Sequence, residues 1–304
     1  MPETPLTGHP DGSRTMTATQ TPDQTPDQTP DQTPDQTPDQ TPDQTADQTS
    51  DRTTARRGAS PRNAVLRAEA RLFGREPGNL FWILVFPPLL LAILGCIPPF
   101  LKVSDDLGGI RLIDTYVPVA VLVALIAAGV QAMPPVVTGY RERGILRRMS
   151  ATPVRPSALL SAQMALHGAA ALASALLSLA VGRLAFGVQL PQQPFGYVLA
   201  LLPAVAAALA MGALVAARAR TAKIAAAVGS AVFFPSMFCA GVWVPVAAMP
   251  DVLARVVGFT PFGAAARALD QAAAGDWPSL SHLGVLAAWA VLLTAAASRW
   301  FRWE

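Results

Sequence analysis

The sequence predicts an all-α membrane protein with six transmembrane helices, and three observations carry that expectation. Of its 304 residues 52% are hydrophobic and only 14% charged, whereas soluble domains carry about a quarter charged residues. Six apolar runs are long enough to cross a hydrocarbon core about 30 Å thick. The basic residues gather in short segments beside those runs, the pattern of loops on the cytoplasmic face of a membrane.

Residues 1–59 stand apart. They begin without an apolar stretch of the kind that signal peptides need. From Thr21 the tetrapeptide Thr-Pro-Asp-Gln repeats six times, then decays through residues 45–52. Proline every fourth residue blocks helix, and almost nothing apolar is present to bury. A disordered acidic tail with polyproline II character is expected, separate from a transmembrane domain over 60–304. Residues 1–51 hold ten acids against one base, while the remainder holds ten acids and 22 bases. The tail could tether a partner, but an expendable segment is the plainer reading, and transport should not depend on it.

From Ser60 the pattern changes. Ser60 can cap a helix that Pro61 opens, and Arg67, Arg71 and Arg75 alternate with Val65, Leu66, Leu72 and Phe73. Arginines snorkelling beside a short apolar face describe an interfacial elbow helix, broken at Pro77-Gly78. The spans are predicted at 80–101, 116–138, 157–182, 195–217, 224–246 and 281–297. Prolines at 87, 88, 98, 99, 134 and 135 predict kinks. Small residues four apart, Ala169 with Ala173, Ala208 with Gly212 and Ala225 with Gly229, predict close helix crossings. Residues 247–280 are too long for a turn and too apolar for a plain loop. Val252, Leu253, Val256, Val257 and Phe259, then a Pro261-Phe262-Gly263 break, predict two short helices that are either re-entrant or interfacial.

Basic residues orient the bundle. With the N-terminus inside, only Lys102, Arg111, Arg183, Arg255 and Arg267 of the 22 bases beyond residue 51 fall outside, so both termini are expected in the cytoplasm. Cys96 and Cys239 lie in apolar runs at no metal or redox spacing and read as buried free thiols.

One polar island interrupts the apolar chain, residues 139–163. Arg141, Arg143, Arg147, Arg148 and Arg155 stand there against a single acid, Glu142. If 141–149 is one helix, Glu142, Ile145, Leu146 and Met149 share an arc and the arginines occupy the rest. Such a helix could lie on lipid headgroups, or it could be a docking knob for a soluble partner, with Glu142 meeting a donor no lipid surface supplies.

Glu142, Arg143, Gly144, Ile145, Leu146, Arg147 and Arg148, followed by Thr152-Pro153-Val154 and Gln163, resemble the segment between spans two and three of type-2 ATP-binding-cassette (ABC) export permeases. The nearest likeness is to the daunorubicin-resistance type of actinobacteria. The six-span layout, the elbow and helices after span five that re-enter the membrane are similar as well, from about residue 60 onward. The resemblance favours the docking knob. It implies a permease subunit in the plasma membrane that works as a dimer of identical chains and that exports a hydrophobic or amphiphilic compound. It implies Tyr140, Glu142, Arg143, Gly144, Ile145, Leu146 and Met149 as the contact with a separate ATPase subunit.

The residues also bound the chemistry. No paired carboxylates, metal cluster or nucleophile with a base stands out, so no catalytic residue, metal or cofactor is expected, and no nucleic-acid partner. A phosphate-binding P-loop needs Gly-Lys-Ser/Thr, but the only lysines, Lys102 and Lys223, follow Leu101 and Ala222. Any ATP must therefore be hydrolysed on another polypeptide. His167, with Gln131 and Gln163, could line a polar pathway, or could simply bond helix to helix. A lipid or glycan exporter and an ion-gradient carrier remain the alternatives, the last disfavoured by spans without Asp or Glu in their cores.

Overall fold

Helices carry nearly the whole of the computed structural model, which describes residues 61–104, 109–150 and 156–300. The repeat tail lies outside the described residues, as do Thr152, Pro153, Val154 and Arg155. The chain runs through α1 (Pro61–Phe73), α2 (Pro77–Gly95), α3 (Pro98–Leu101), α4 (Leu112–Glu142), α5 (Ile145–Ser150) and α6 (Pro156–Phe186). It continues through α7 (Pro194–Arg218), α8 (Ala222–Cys239), α9 (Asp251–Gly258), α10 (Pro261–Ala274) and α11 (Leu280–Trp300). Two short strands, Val103–Ser104 and Ile110–Arg111, pair antiparallel between α3 and α4. Six helices, α2, α4, α6, α7, α8 and α11, are long and apolar enough to cross a membrane.

Several boundaries differ from the sequence expectation for definable reasons. The elbow breaks at residues 74–76, and Pro77 instead occupies the first turn of the first span, where its missing N–H costs nothing. That span ends at Gly95, because the Pro98-Pro99 pair starts a separate short helix. The fifth span stops at Cys239 rather than 246, turned by Gly241 at φ +85°. Cys96 and Cys239 are both free, but neither is buried: Cys96 is exposed and Cys239 half-buried.

The Pro87-Pro88 and Pro134-Pro135 pairs do not interrupt their helices. Each follows a π-helical turn, Phe81–Val85 in α2 and Ala127–Ala132 in α4. Phe86 N donates to Phe81 O, and Met133 N to Ala128 O, both five residues back. A proline ring collides with the carbonyl four residues earlier, and widening the preceding turn relieves that collision.

The central helix is α4. Val121 to Ile126 are at most 1% exposed, and 89% of its most apolar window is buried, against 17% for α11. Glycines let neighbours approach it. A Cβ on Gly212 of α7 would fall on Gly129 O, and one on Gly229 of α8 would sit 2.9 Å from Val130 O. The Ala208/Gly212 and Ala225/Gly229 pairs therefore do form crossings, whereas Ala169 and Ala173 point outward from α6, which packs through Ala171, Ser174 and Ala175 instead. Alternation of the spans leaves the bundle with two ends. The elbow end carries α1, α5 and the α7–α8 turn; the far end carries α9 and α10.

Candidate functional site

Two helices are longer than the hydrocarbon core of a bilayer is thick. α4 spans 31 residues and α6 another 31; at 1.5 Å per residue each is about 46 Å long, against about 30 Å of hydrocarbon. The α5 corner joins them at the elbow end.

The corner is made by Gly144. Its φ of +66° belongs to the left-handed region that glycine enters without steric cost. Gly144 N donates to Arg141 O at 2.9 Å, and Arg148 N to Gly144 O at 3.1 Å, so α4 ends and α5 begins within one turn. The single helix expected over 141–149 is thus two helices at an angle, and the arcs change accordingly. Leu146, 4% exposed, packs with Tyr140 and Leu159, with Val65, Val136 and Ile145 alongside. Glu142, Arg143, Arg147 and Arg148 are exposed. The Met149 side chain lies outside the described residues.

Two ties fasten this corner to the α7–α8 turn and the start of α8. Glu142 Oε2 accepts from Ala222 N at 2.9 Å, a carboxylate on the positive end of a helix dipole. Thr221 caps the same helix, its Oγ1 accepting from Ile224 N at 3.2 Å. The Arg141 guanidinium donates to Ala219 O. Within the corner, Arg143 Nε donates to Gly139 O at 3.1 Å while its guanidinium lies 5.6 Å from the Tyr140 ring centre.

Behind the corner lies a buried polar network that sequence reasoning missed. Glu69, on α1 and only 7% exposed, accepts at Oε2 from Tyr140 Oη at 2.7 Å and from Gln163 Nε2 at 2.6 Å. One turn along α6, the His167 ring Nδ1 lies 2.9 Å from Gln163 O, and Phe73 meets that ring edge-on at 5.0 Å. Val65, Glu69 and Phe73 recur every four residues and are the more buried positions of α1. An acid inside the apolar stripe of an otherwise arginine-rich helix was the available signal.

Gln163 and His167 thus join Tyr140 in one cluster. Gln131 does not; it lies more than two turns up α4, where its Nε2 donates to Ser230 Oγ of α8 at 3.1 Å. Gln163 Oε1, His167 Nε2 and Thr138 Oγ1 are buried without a partner among the described residues.

A multi-pass apolar bundle with a braced polar corner projecting from one end has the build of a membrane transport subunit. The chain belongs to the ABC-2 type transporter family, whose model matches residues 63–272, from the elbow through α10. No curated protein and no solved structure matches it. Membership makes it a permease subunit of an ABC-type exporter, and the family implies a partner ATPase subunit.

Proposed function

We propose that this chain exports a hydrophobic or amphiphilic, drug- or antibiotic-like compound, in the manner of the daunorubicin-resistance type of permease, driven by ATP hydrolysed on a separate subunit. It acts as a homodimer in the plasma membrane with both termini in the cytoplasm, so that the elbow end faces the ATPase; the arginine-rich character of that end supports this orientation. Residues 1–59 form a separate acidic segment that transport does not need.

The bracing of the α4–α5 corner carries this reading. Glu142, Arg143, Ile145 and Met149 offer the contact. Gly144 supplies the bend, and Tyr140 and Leu146 fasten the corner inward. Closure of the ATPase would push the corner, and the push would pass through Glu69 to α1, through Gln163 to α6 and through Ala222 to α8. Two long helices then tilt together, opening the bundle at one face as it closes at the other.

The test is copurification of the ATPase and ATP-dependent transport in vesicles, for wild type and Glu142→Arg. Charge reversal should lower ATPase retention at least tenfold, with the six-span fold intact by protease protection. Full retention with undiminished ATP-dependent transport would overturn the docking assignment. Transport driven by an ion gradient without ATP would overturn the exporter mechanism.

A further inference from the structure

The far end holds a cavity that the export reading does not use. α9 and α10 meet at 103°, and the corner is tightly built. Gly263 leaves no room for a Cβ against Val257 O. Thr260 Oγ1 accepts from Gly263 N at 3.1 Å and donates to Val257 O at 2.6 Å. Trp289 of α11 pins the corner, its Nε1 donating to Phe259 O at 2.8 Å. Between this corner and the start of α11 lies a space of about 340 Å³ whose walls include Asp251, Arg255, Phe259, Arg267, His282 and Val285.

Two arginines line this space, Arg255 from α9 and Arg267 from α10. Neither has a hydrogen bond or ion pair among the described residues, and Arg267 Nε is buried with no acceptor. By contrast Arg111, also at the far end, is saturated: it pairs with Asp114 Oδ1 at 2.7 Å and donates to Phe186 O at 3.0 Å. Two arginines without a bonded partner in the wall of one cavity suit an anionic acceptor from outside the chain. Asp251 is the only carboxylate in the wall, which leaves the cavity cationic. Asp270, one turn beyond Arg267, interacts electrostatically with it and with Tyr197 but does not line the space. His282 is held by Ser279, whose Oγ lies 2.7 Å from the ring Nδ1. Phe259, in the wall just past α9, is 65% exposed, and Val252 and Val256 on α9, outside the wall, are 77% and 60% exposed.

We propose that this cavity binds the phosphate of an amphiphile, held between Arg255 and Arg267, with the apolar tail lying along Val252, Val256 and Phe259. Paired guanidiniums match phosphate oxygens in geometry and charge. The volume falls at the lower end of the range for small-molecule sites, about 300–1,000 Å³, which suits a headgroup rather than a whole lipid.

The test uses the purified full chain in neutral detergent and a fluorescent phosphatidylglycerol, displaced by unlabelled phosphatidylglycerol, diacylglycerol or inorganic phosphate. Wild type should bind saturably, and R255Q and R267Q should each weaken binding at least tenfold, while R183Q at the same end leaves it unchanged. Displacement by phosphatidylglycerol alone identifies a lipid headgroup; displacement by inorganic phosphate as well identifies a site for the free anion. Equal binding by R255Q and wild type, or diacylglycerol competing as well as phosphatidylglycerol, would overturn the proposal. Should R267Q fail to fold, R255Q decides, because Arg255 lies on the exposed face of α9, away from the buried Ala254 and Val257.

Discussion

The two ends of this bundle treat charge in opposite ways. At the elbow end Glu69 is buried but bonded twice, Glu142 caps a helix, and Arg141, Arg143 and Arg148 all donate to main-chain carbonyls. At the far end Arg255 and Arg267 reach a cavity unpaired, and α9 shows Val252, Val256 and Phe259 outward. A region whose charged groups are bonded across four helices moves as one piece and transmits force. A region with unpaired cations and uncovered apolar surface is completed by something outside the chain, either lipid or ligand.

The largest effect expected from breaking this contrast is at Glu69. Glu69→Leu leaves Tyr140 Oη and Gln163 Nε2 buried without the carboxylate that accepts from both, which should cost about 2–6 kcal/mol at about 1–3 kcal/mol per unsatisfied group. Unfolding in mixed micelles measures it. Adding Tyr140→Phe should recover part of the loss, because one orphaned group disappears; a purely additive double variant would show that the network is not cooperative.

Next come the two glycines at the two corners, which are glycine for different reasons. Gly263 is excluded from carrying a side chain by Val257 O, whereas around Gly144 nothing lies within 4 Å and only its φ of +66° matters. Gly263→Ala should therefore cost about 2–3 kcal/mol by overpacking against backbone that cannot yield, and Gly144→Ala about 1 kcal/mol for left-handed backbone. Asparagine separates them. Gly144→Asn should restore most of the stability, since Asn tolerates that conformation, while Gly263→Asn should be worse than Ala. Equal behaviour of the two sites would erase the distinction.

How much of this was legible beforehand follows from what each feature depends on. Span number came from composition, because a run of apolar residues has few other uses. The α9–α10 corner came from Pro261 and Gly263 after an apolar run. Charge periodicity leaves one helix across 141–149 open because it says nothing about φ at Gly144. The Glu142–Ala222 bond joins residues 80 apart, and the Glu69–Gln163 bond residues 94 apart. No local pattern encodes such pairings; only the packing of α4 against α1, α6 and α8 brings them together. An acid on an arginine-rich amphipathic helix reads as surface until the neighbouring helix is known to cover it. The unpaired state of Arg255 and Arg267 was hidden for the converse reason, since Asp251 stands four residues before Arg255 and a helical ion pair would have been the default.

The smallest expected effect is at Glu142, where it separates two roles of one side chain. Glu142→Gln keeps an oxygen able to accept from Ala222 N but removes the charge at the α8 N-terminus, a loss of about 0.3–1 kcal/mol at low ionic strength that added salt should erase. Glu142→Ala removes the cap as well and should cost about 1 kcal/mol at any salt concentration. If the carboxylate also meets a basic group on the ATPase, Glu142→Gln should lose ATPase retention far beyond its small effect on stability. If retention falls only in step with stability across Gln, Ala and Arg, then the residue acts through α8 alone, and the contact with the motor lies with Arg143, Ile145 and Met149.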